Sequence, residues 1–356
     1  MPRVTVLLPT YQSERYLSEA VQSVLAQTYS DFELLAVDDD STDRTVDILQ
    51  SYHDSRIRVI QGRKRGLADA LNLGISVAQG EYIARMDADD IMLPTRLAKQ
   101  VEFLDTNPCV AVCGSWQQYF GMSTFIHKPP ASASQCRANL LFACDLCHST
   151  VTLRREFFQA HGLNYDGRFA AEDFELWTRV LDYGEIANLP EVLGYYRDTG
   201  HSITDKKLRE LIQQNRQIVA ATLSRTLQIQ LTNRQRDYFA GWINPFYGPK
   251  GSRLREERQE GWRDLRQLLQ TIWERNQAVR AYDDQALLRA LRKEWLSLRY
   301  RIPFQTPVGQ VTPEGLFQEM PGWQVIWVRG QSACRNSRGL RWKIENVKNK
   351  LSHRKH

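Results

Sequence analysis

Three aspartates, Asp87, Asp89 and Asp90, fall within four positions, and a second run, Asp38-Asp39-Asp40, leads into Ser41-Thr42-Asp43. Ionised carboxylates packed this closely repel unless solvent disperses them or they share a cation. A hard divalent ion is the natural partner: Mg2+ or Mn2+ prefers oxygen ligands. Mg2+ in particular is held by one or two carboxylates, with waters and substrate phosphates filling its shell. Asp87-x-Asp89 is thus suited to gripping a nucleotide diphosphate. An acidic turn that caps the next helix is the competing reading, and for an isolated Asp-x-Asp it is the commoner one. A further pair, Glu172-Asp173, precedes Phe174, Leu176, Trp177 and Val180. Acids are favoured in such a first helical turn.

The elements that must position these residues alternate. Val4 to Leu8 reads as a buried strand, and Leu17, Ala20, Val21, Val24 and Leu25 lie on one helical face. Phe32 to Val37, Arg56 to Ile60 and Tyr82 to Met86 read as further strands, with helices from about Thr45 to Tyr52 and Leu67 to Ala78. The Ser/Thr/Asp cluster before Thr45 can cap its helix. This rhythm specifies a parallel sheet with helices on its faces. Ligands of such sheets bind at the carboxyl ends of the strands. Pro9-Thr10-Tyr11, Asp38 to Asp43 and Asp87 to Asp90 all fall there, so the acidic clusters converge on one expected rim.

A chain of 356 residues allows two domains, or one large domain with an appendage. Its 42% hydrophobic and 25% charged residues exclude a mainly disordered protein. No run approaches the roughly 18 apolar residues of a membrane span, and Met1 to Leu8 leads straight into a strand, so a secreted or membrane-spanning product is not expected. Six cysteines without framework spacing suit a reducing cytosol. The net charge of +6 hides a division: residues 1–200 carry 18 Lys and Arg against 27 Asp and Glu, and residues 201–356 carry 29 against 14. In the basic half, Trp262, Leu265, Leu268, Leu269, Ile272 and Trp273 mark one amphipathic helix, and Leu287, Leu288, Leu291, Trp295 and Leu298 another. Residues 329–356 hold nine bases and one acid, Glu345.

Residues 1–100 resemble the N-terminal half of the family 2 glycosyltransferases, inverting enzymes of the GT-A fold. The matching segments, in order, are Val4 to Tyr11, Ser23 to Tyr29, and Val37-Asp38-Asp39-Asp40-Ser41-Thr42-Asp43. They continue with Gly66, Ala70, Asn72 and Gly74, then Ala78 to Asp90. His148-Ser149-Thr150-Val151, Arg154-Arg155 and Ala171 to Trp177 extend the resemblance to about residue 204. It implies an α/β, Rossmann-like nucleotide-diphospho-sugar transferase domain over 1–204, followed by a mainly helical accessory region over 205–328 and a basic tail over 329–356. It also implies roles. Pro9, Thr10, Tyr11, Asp39, Gly66 and Asp87 bind the nucleotide, with Tyr11 stacking on the base and Asp39 accepting from its ring N–H. Asp89, with Asp87, holds Mn2+ or Mg2+, supported by Asp90. Asp173 is the general base, and Glu172, Trp177, His148, Arg197 and His201 serve the acceptor side or support it. The implied reaction moves a sugar from a nucleotide-diphosphate sugar, by family habit a UDP-sugar, to a glycan or lipid-linked glycan in surface polysaccharide synthesis. Three departures stand out: Asp40 replaces a usual Gly, Arg63-Lys64-Arg65 precedes Gly66, and Thr199 replaces a usual His, with His201 nearby.

Other readings compete. Cys144-x-x-Cys147-His148 spells the c-type haem attachment pattern, but haem attachment needs an exported chain, and His148 already has a place in the transferase pattern. A zinc site lacks a second ligand pair. The basic half could bind nucleic acid, yet Trp at helical spacing with Leu fits a helical core better. Residues 329–356 suit docking on an anionic membrane surface, giving a cytoplasmic protein that is peripheral on the inner face of the cell membrane. A degenerate transferase that binds nucleotide sugars without turnover remains the alternative from another class.

Overall fold

The computed structural model describes residues 1–144, 146–200, 207–236 and 255–300. Strands β1 (Val4–Thr10), β2 (Phe32–Asp38), β3 (Ile57–Gln61) and β4 (Tyr82–Arg85) pair in parallel, in the order β3-β2-β1-β4. Helices α1 (Leu17–Leu25), α2 (Thr45–Gln50) and α3 (Leu67–Val77) connect them. β1 and β2 are buried throughout, as a parallel sheet covered on both faces requires. The expected parallel rhythm therefore holds for these four strands, and the rest of the sheet is mixed. β5 (Ile91–Met92) and α4 (Arg96–Thr106) follow, then β6 (Val110–Gly121), β7 (Ile126–His127), α5 (Ala133–Asn139), β8 (Thr152–Arg154), α6 (Arg155–Ala160), α7 (Glu172–Val180) and β9 (Glu185–Asp198). β8 inserts antiparallel between β4 and β6, and β9 runs parallel to β6 while β5 pairs antiparallel with β9.

Alternation along β1 sends its side chains into two apolar layers. Val4, Val6 and Leu8 pack with α1 and α4, whereas Leu7 packs with Leu35, Val37 and α3. A Cβ at Gly74 would lie 2.2 Å from Leu7 Cδ1, so glycine sets how closely α3 approaches the strand.

The second layer continues into α8 (Leu208–Leu227), which the short polar helix α9 (Asn233–Arg236) follows, and into α10 (Arg255–Val279) and α11 (Asp284–Tyr300). The apolar pattern of the basic half is realised: Leu265, Leu268, Leu269, Ile272, Leu287, Leu288 and Leu291 are buried and Trp273 packs against them. The side chains of Trp262, Trp295 and Leu298 lie outside the described residues, as do His201 and residues 329–356. Polar contacts reinforce the junction. Arg137 Nε donates to the Ala281 carbonyl at 3.0 Å, and Arg225 pairs with Asp182 at 3.1 Å. Among the described residues, no helix is long and apolar enough to cross a membrane.

One buried cation fixes the centre of the sheet. Arg96, 1% exposed, donates to the carbonyls of Arg85 (2.7 Å), Ser149 (2.8 Å) and Val151 (3.2 Å) and to Gln100 Oε1 (3.0 Å). These bonds tie α4 to the end of β4 and to the segment before β8. Arg96→Leu removes the guanidinium that answers the Arg85 and Ser149 carbonyls, whereas Val151 keeps the Arg85 N–H at 2.9 Å, so a loss of about 3–5 kcal/mol in unfolding free energy is expected by urea denaturation. A change below about 1 kcal/mol would contradict this role for Arg96.

Candidate active site

The acidic clusters lie at the carboxyl ends of β1, β2 and β4, as the strand pattern requires. Asp38 organises its own turn: Oδ1 accepts from the hydroxyls of Thr10 (3.0 Å) and Ser41 (2.6 Å), and Oδ2 from the Ser41 N–H (3.0 Å). The Asp39 N–H donates to the Thr10 carbonyl at 2.9 Å. The Asp39 carboxylate accepts from the backbone N–H groups of Arg65 (3.3 Å) and Gly66 (2.7 Å). A carboxylate offers about four acceptor positions, so two remain. Gly66 takes φ +89° there, a conformation that a side chain disfavours. Tyr11 stands 60% exposed at the same rim, its ring open to stacking.

Asp40, the residue out of place in the family pattern, sits at φ +70°, and Lys64 opposite it at φ +57°, their side chains paired at 2.6 Å. Asp tolerates this left-handed backbone better than most residues, which is how the chain keeps the turn without a glycine. Of the other two bases, Arg63 faces Asp69 at 3.8 Å and Arg65 contributes its backbone N–H.

At the end of β4, Arg85 is buried and grips Asp87 with both terminal nitrogens (2.7 and 2.6 Å), while its Nε has no hydrogen-bond partner. Asp90 is 2% exposed and accepts from the Arg197 N–H (2.9 Å), the Ser149 hydroxyl and Gln117 Nε2 (3.5 Å). The ionised form of Asp89 is favoured by its own backbone N–H and by the Arg85 and Arg197 charges, but these are outweighed. Burial, and then the neighbouring Asp87 charge, push its carboxyl up to about 6. Among the described residues no three His, Cys, Asp or Glu side chains form a metal cage. The donor set nonetheless fits a divalent ion of the Mg2+ type, which needs only one or two carboxylates from protein. A half-buried carboxylate pushed toward protonation by another beside it is relieved by a cation.

Arg197 locks this turn from β9. Its guanidinium lies between the rings of Tyr16 (4.2 Å) and Phe120 (4.5 Å), donates to the Asp89 carbonyl at 2.8 Å and pairs with Glu19 at 2.7 Å.

The other carboxylates enter on the first turn of α7. Asp173 Oδ1 accepts from the Phe174 N–H at 2.7 Å, and the Cys144 thiol lies 3.8 Å from Oδ2. Burial raises the Asp173 carboxyl above the ordinary range, and burial with the Asp173 charge pushes Glu172 up to about 7. The Arg85 charge opposes both shifts, and Asp87 adds to that on Glu172. The two acidic groups, far apart in sequence, therefore act on each other through one electrostatic field. Beneath them, His148 Nε2 and the Tyr165 hydroxyl are 2.9 Å apart, and Asn72 clamps the Tyr165 backbone with two bonds of 2.8 Å. Trp177 is fully buried edge-on to His148. Burial, aided by the Arg85 charge, holds the His148 imidazole neutral.

Sequence reasoning thus placed Thr10, Tyr11, Asp39, Gly66, Asp87, Asp89, His148, Glu172, Asp173, Trp177 and Arg197 around one region, with Pro9 paired to Val37 beneath it. It gave no role to Arg85 or Tyr165, and it read Cys144 only as part of a Cys-x-x-Cys-His pattern. For Arg85 a signal existed: one charge inside the otherwise apolar Tyr82-Ile83-Ala84-Arg85-Met86.

A sequence model described as glycosyl transferase family 2 matches residues 5–169. An uncharacterised glycosyltransferase of Haemophilus influenzae is 32% identical over 217 residues, covering 56% of this chain and 67% of that one. The Escherichia coli UDP-Glc:alpha-D-GlcNAc-diphosphoundecaprenol beta-1,3-glucosyltransferase WfaP is 32% identical, covering 60% of this chain and 85% of its own. The crystal structure of S. aureus TarS 1-349 in complex with UDP-GlcNAc superposes with a TM-score of 0.55 at 18% identity, over 86% of this chain and 93% of that one, a likeness of fold.

The raised carboxyls make a stability prediction with a definite sign. A carboxyl held above its unfolded pKa favours the fold fully below the unfolded value, and that contribution is lost as pH rises through the folded one. For Glu172 the window runs from the ordinary carboxyl range to about 7. Glu172→Gln should therefore gain stability relative to wild type between pH 5 and pH 8, by about 2 kcal/mol in metal-free urea titrations. A difference that stays flat with pH would contradict the shift.

Proposed function

The chain belongs to glycosyl transferase family 2, and we propose that it is an inverting enzyme that moves a sugar from a UDP-sugar to a lipid-linked glycan in surface polysaccharide synthesis. The observation that carries this reading is the meeting of two carboxylate groups around Arg85, one at a strand end suited to a nucleotide diphosphate and one at the start of α7 with raised proton affinity. WfaP, whose name gives UDP-glucose as donor and a diphosphoundecaprenol-linked sugar as acceptor, supports the substrate classes.

In this mechanism Tyr11 stacks on the base, Asp39 accepts from its ring N–H, and Thr10, Pro9 and Gly66 shape the pocket. A divalent ion held by Asp89 with Asp87 would supply Lewis-acid stabilisation of the departing diphosphate. Arg85 pairs with Asp87 and orients it through two parallel bonds. Asp173 takes the proton of the acceptor hydroxyl while that oxygen bonds to the anomeric carbon and the carbon–phosphate-oxygen bond breaks on the opposite face. One displacement needs one base. Burial suits Asp173 to the task, because a base is effective when its pKa approaches the working pH. Neutral His148, Tyr165 and Trp177 pack together in one cluster, with Tyr165 within the field of Asp173 and Glu172, and Arg197 holds the Asp87–Asp90 turn. His201, outside the described residues, joins the acceptor side in this reading.

The same proposal assigns residues 1–204 to the transferase part, 205–328 to a helical accessory region and 329–356 to a basic segment that meets anionic lipid. The setting is the cytoplasmic face of the membrane, where a lipid-linked acceptor is presented.

Calorimetric titration with UDP, GDP and dTDP, each with Mn2+ and with EDTA, tests the donor half. UDP binding should require the metal and be lost in Asp89→Ala; binding indifferent to both changes would defeat the assignment. Asp173→Asn should keep metal-dependent UDP binding and lose roughly 100- to 10,000-fold in turnover. Full turnover in that variant would remove Asp173 as the base.

A further inference from the structure

Asp173 is held from two sides. The Phe174 N–H fixes Oδ1 at 2.7 Å, with a weaker contribution from Asp173's own N–H, and the Cys144 thiol lies 3.8 Å from Oδ2, within the range of a sulfur hydrogen bond. Cys144 is half-buried and comes from the segment before the 3-10 turn His148–Thr150, not from α7, so the contact bridges 29 residues of sequence. A carboxylate fixed through one oxygen still pivots about its Cβ–Cγ bond, a torsion that is broad in Asp. A second donor on the other oxygen stops that rotation.

We propose that Cys144 is a positioning residue for the general base, its thiol holding Asp173 Oδ2 oriented to receive the acceptor proton. The proposal rests on the reading of Asp173 as that base. The choice of sulfur has a chemical reason. Any donor to a carboxylate favours the ionised form and weakens it as a base. A thiol is a weak donor, so it orients the oxygen at less cost in proton affinity than a hydroxyl would exact. The bond acts on the Asp173 carboxyl in this downward direction, against the larger upward effect of burial. The other groups that bear on the site are Arg85 from β4, Glu172 from α7, Asp87 beyond it, Tyr165 from the loop before α7, and neutral His148. None of them occupies the place of Cys144 on Oδ2.

Two readouts on full-length protein test the proposal. The first is the carboxyl 13C titration of labelled aspartate, with Asp173→Asn assigning the resonance. The second is the pH profile of UDP release from UDP-glucose with Mn2+ and water as acceptor. Cys144→Ala should raise the Asp173 midpoint by about half a pH unit, giving a roughly threefold slower rate at fixed pH on the acid limb. Cys144→Ser, a stronger donor, should lower it below wild type. A merely structural cysteine would not produce that order. One midpoint shared by all three proteins would overturn the proposal. An acid limb that survives in Asp173→Asn would overturn the base assignment itself, and with it any catalytic part for Cys144, even where the 13C midpoints move in the expected order.

Discussion

Five carboxylates, Asp87, Asp89, Asp90, Glu172 and Asp173, are gathered near one buried guanidinium, and the site depends on that electrostatic constraint. Arg85 neutralises Asp87 directly and draws down Asp89, Glu172 and Asp173 through space. Its charge does not suffice for all of them. Asp89 and Glu172 remain pushed up to about 6 and about 7, so the site retains an appetite for a further cation and for protons. In the proposed reaction the cation would sit beside the leaving diphosphate and the proton acceptor beside the nucleophile.

The fold exists to make this crowding tolerable. Asp90 gives up its freedom to bind the Arg197 N–H and Ser149, which fastens the metal-site turn to β9 and to the segment before β8. Arg96 holds the same segment through the Ser149 and Val151 carbonyls and joins it to the Arg85 carbonyl. The antiparallel insertion of β8 between β4 and β6 is what brings the second half of the chain to the first. A purely parallel continuation would have left α7 and its carboxylates without a route to the strand end of β4.

Much of this was legible in the sequence. Apolar runs and turn residues gave β1 to β4 and their helices to within two residues at each end, because local periodicity reports local structure. The Asp clusters fell on the rim because strand ends are marked by where the apolar runs stop. The departure at Asp40 was visible too, and it appears as a left-handed backbone paired to Lys64. What sequence did not reveal was pairing across long separations: Arg85 with Glu172 and Asp173, Asn72 with Tyr165, Cys144 with Asp173. Those contacts follow from tertiary topology, and no spacing rule encodes them. The bounds of helix α8, inside the region expected to be helical, were not drawn because its apolar residues, Ile218, Val219, Leu223 and Leu227, are diluted by Gln, Arg and Thr.

The central claim is that one base and one displacement suffice, with the donor on one side of the anomeric carbon and Asp173 on the other. The anomeric configuration of the first product tests it most directly, followed by proton NMR during turnover of UDP-α-D-glucose with Mn2+. The account predicts that the β-configured sugar appears first, before any equilibration of free glucose. An α-configured first product would contradict single displacement and require a different use of these carboxylates.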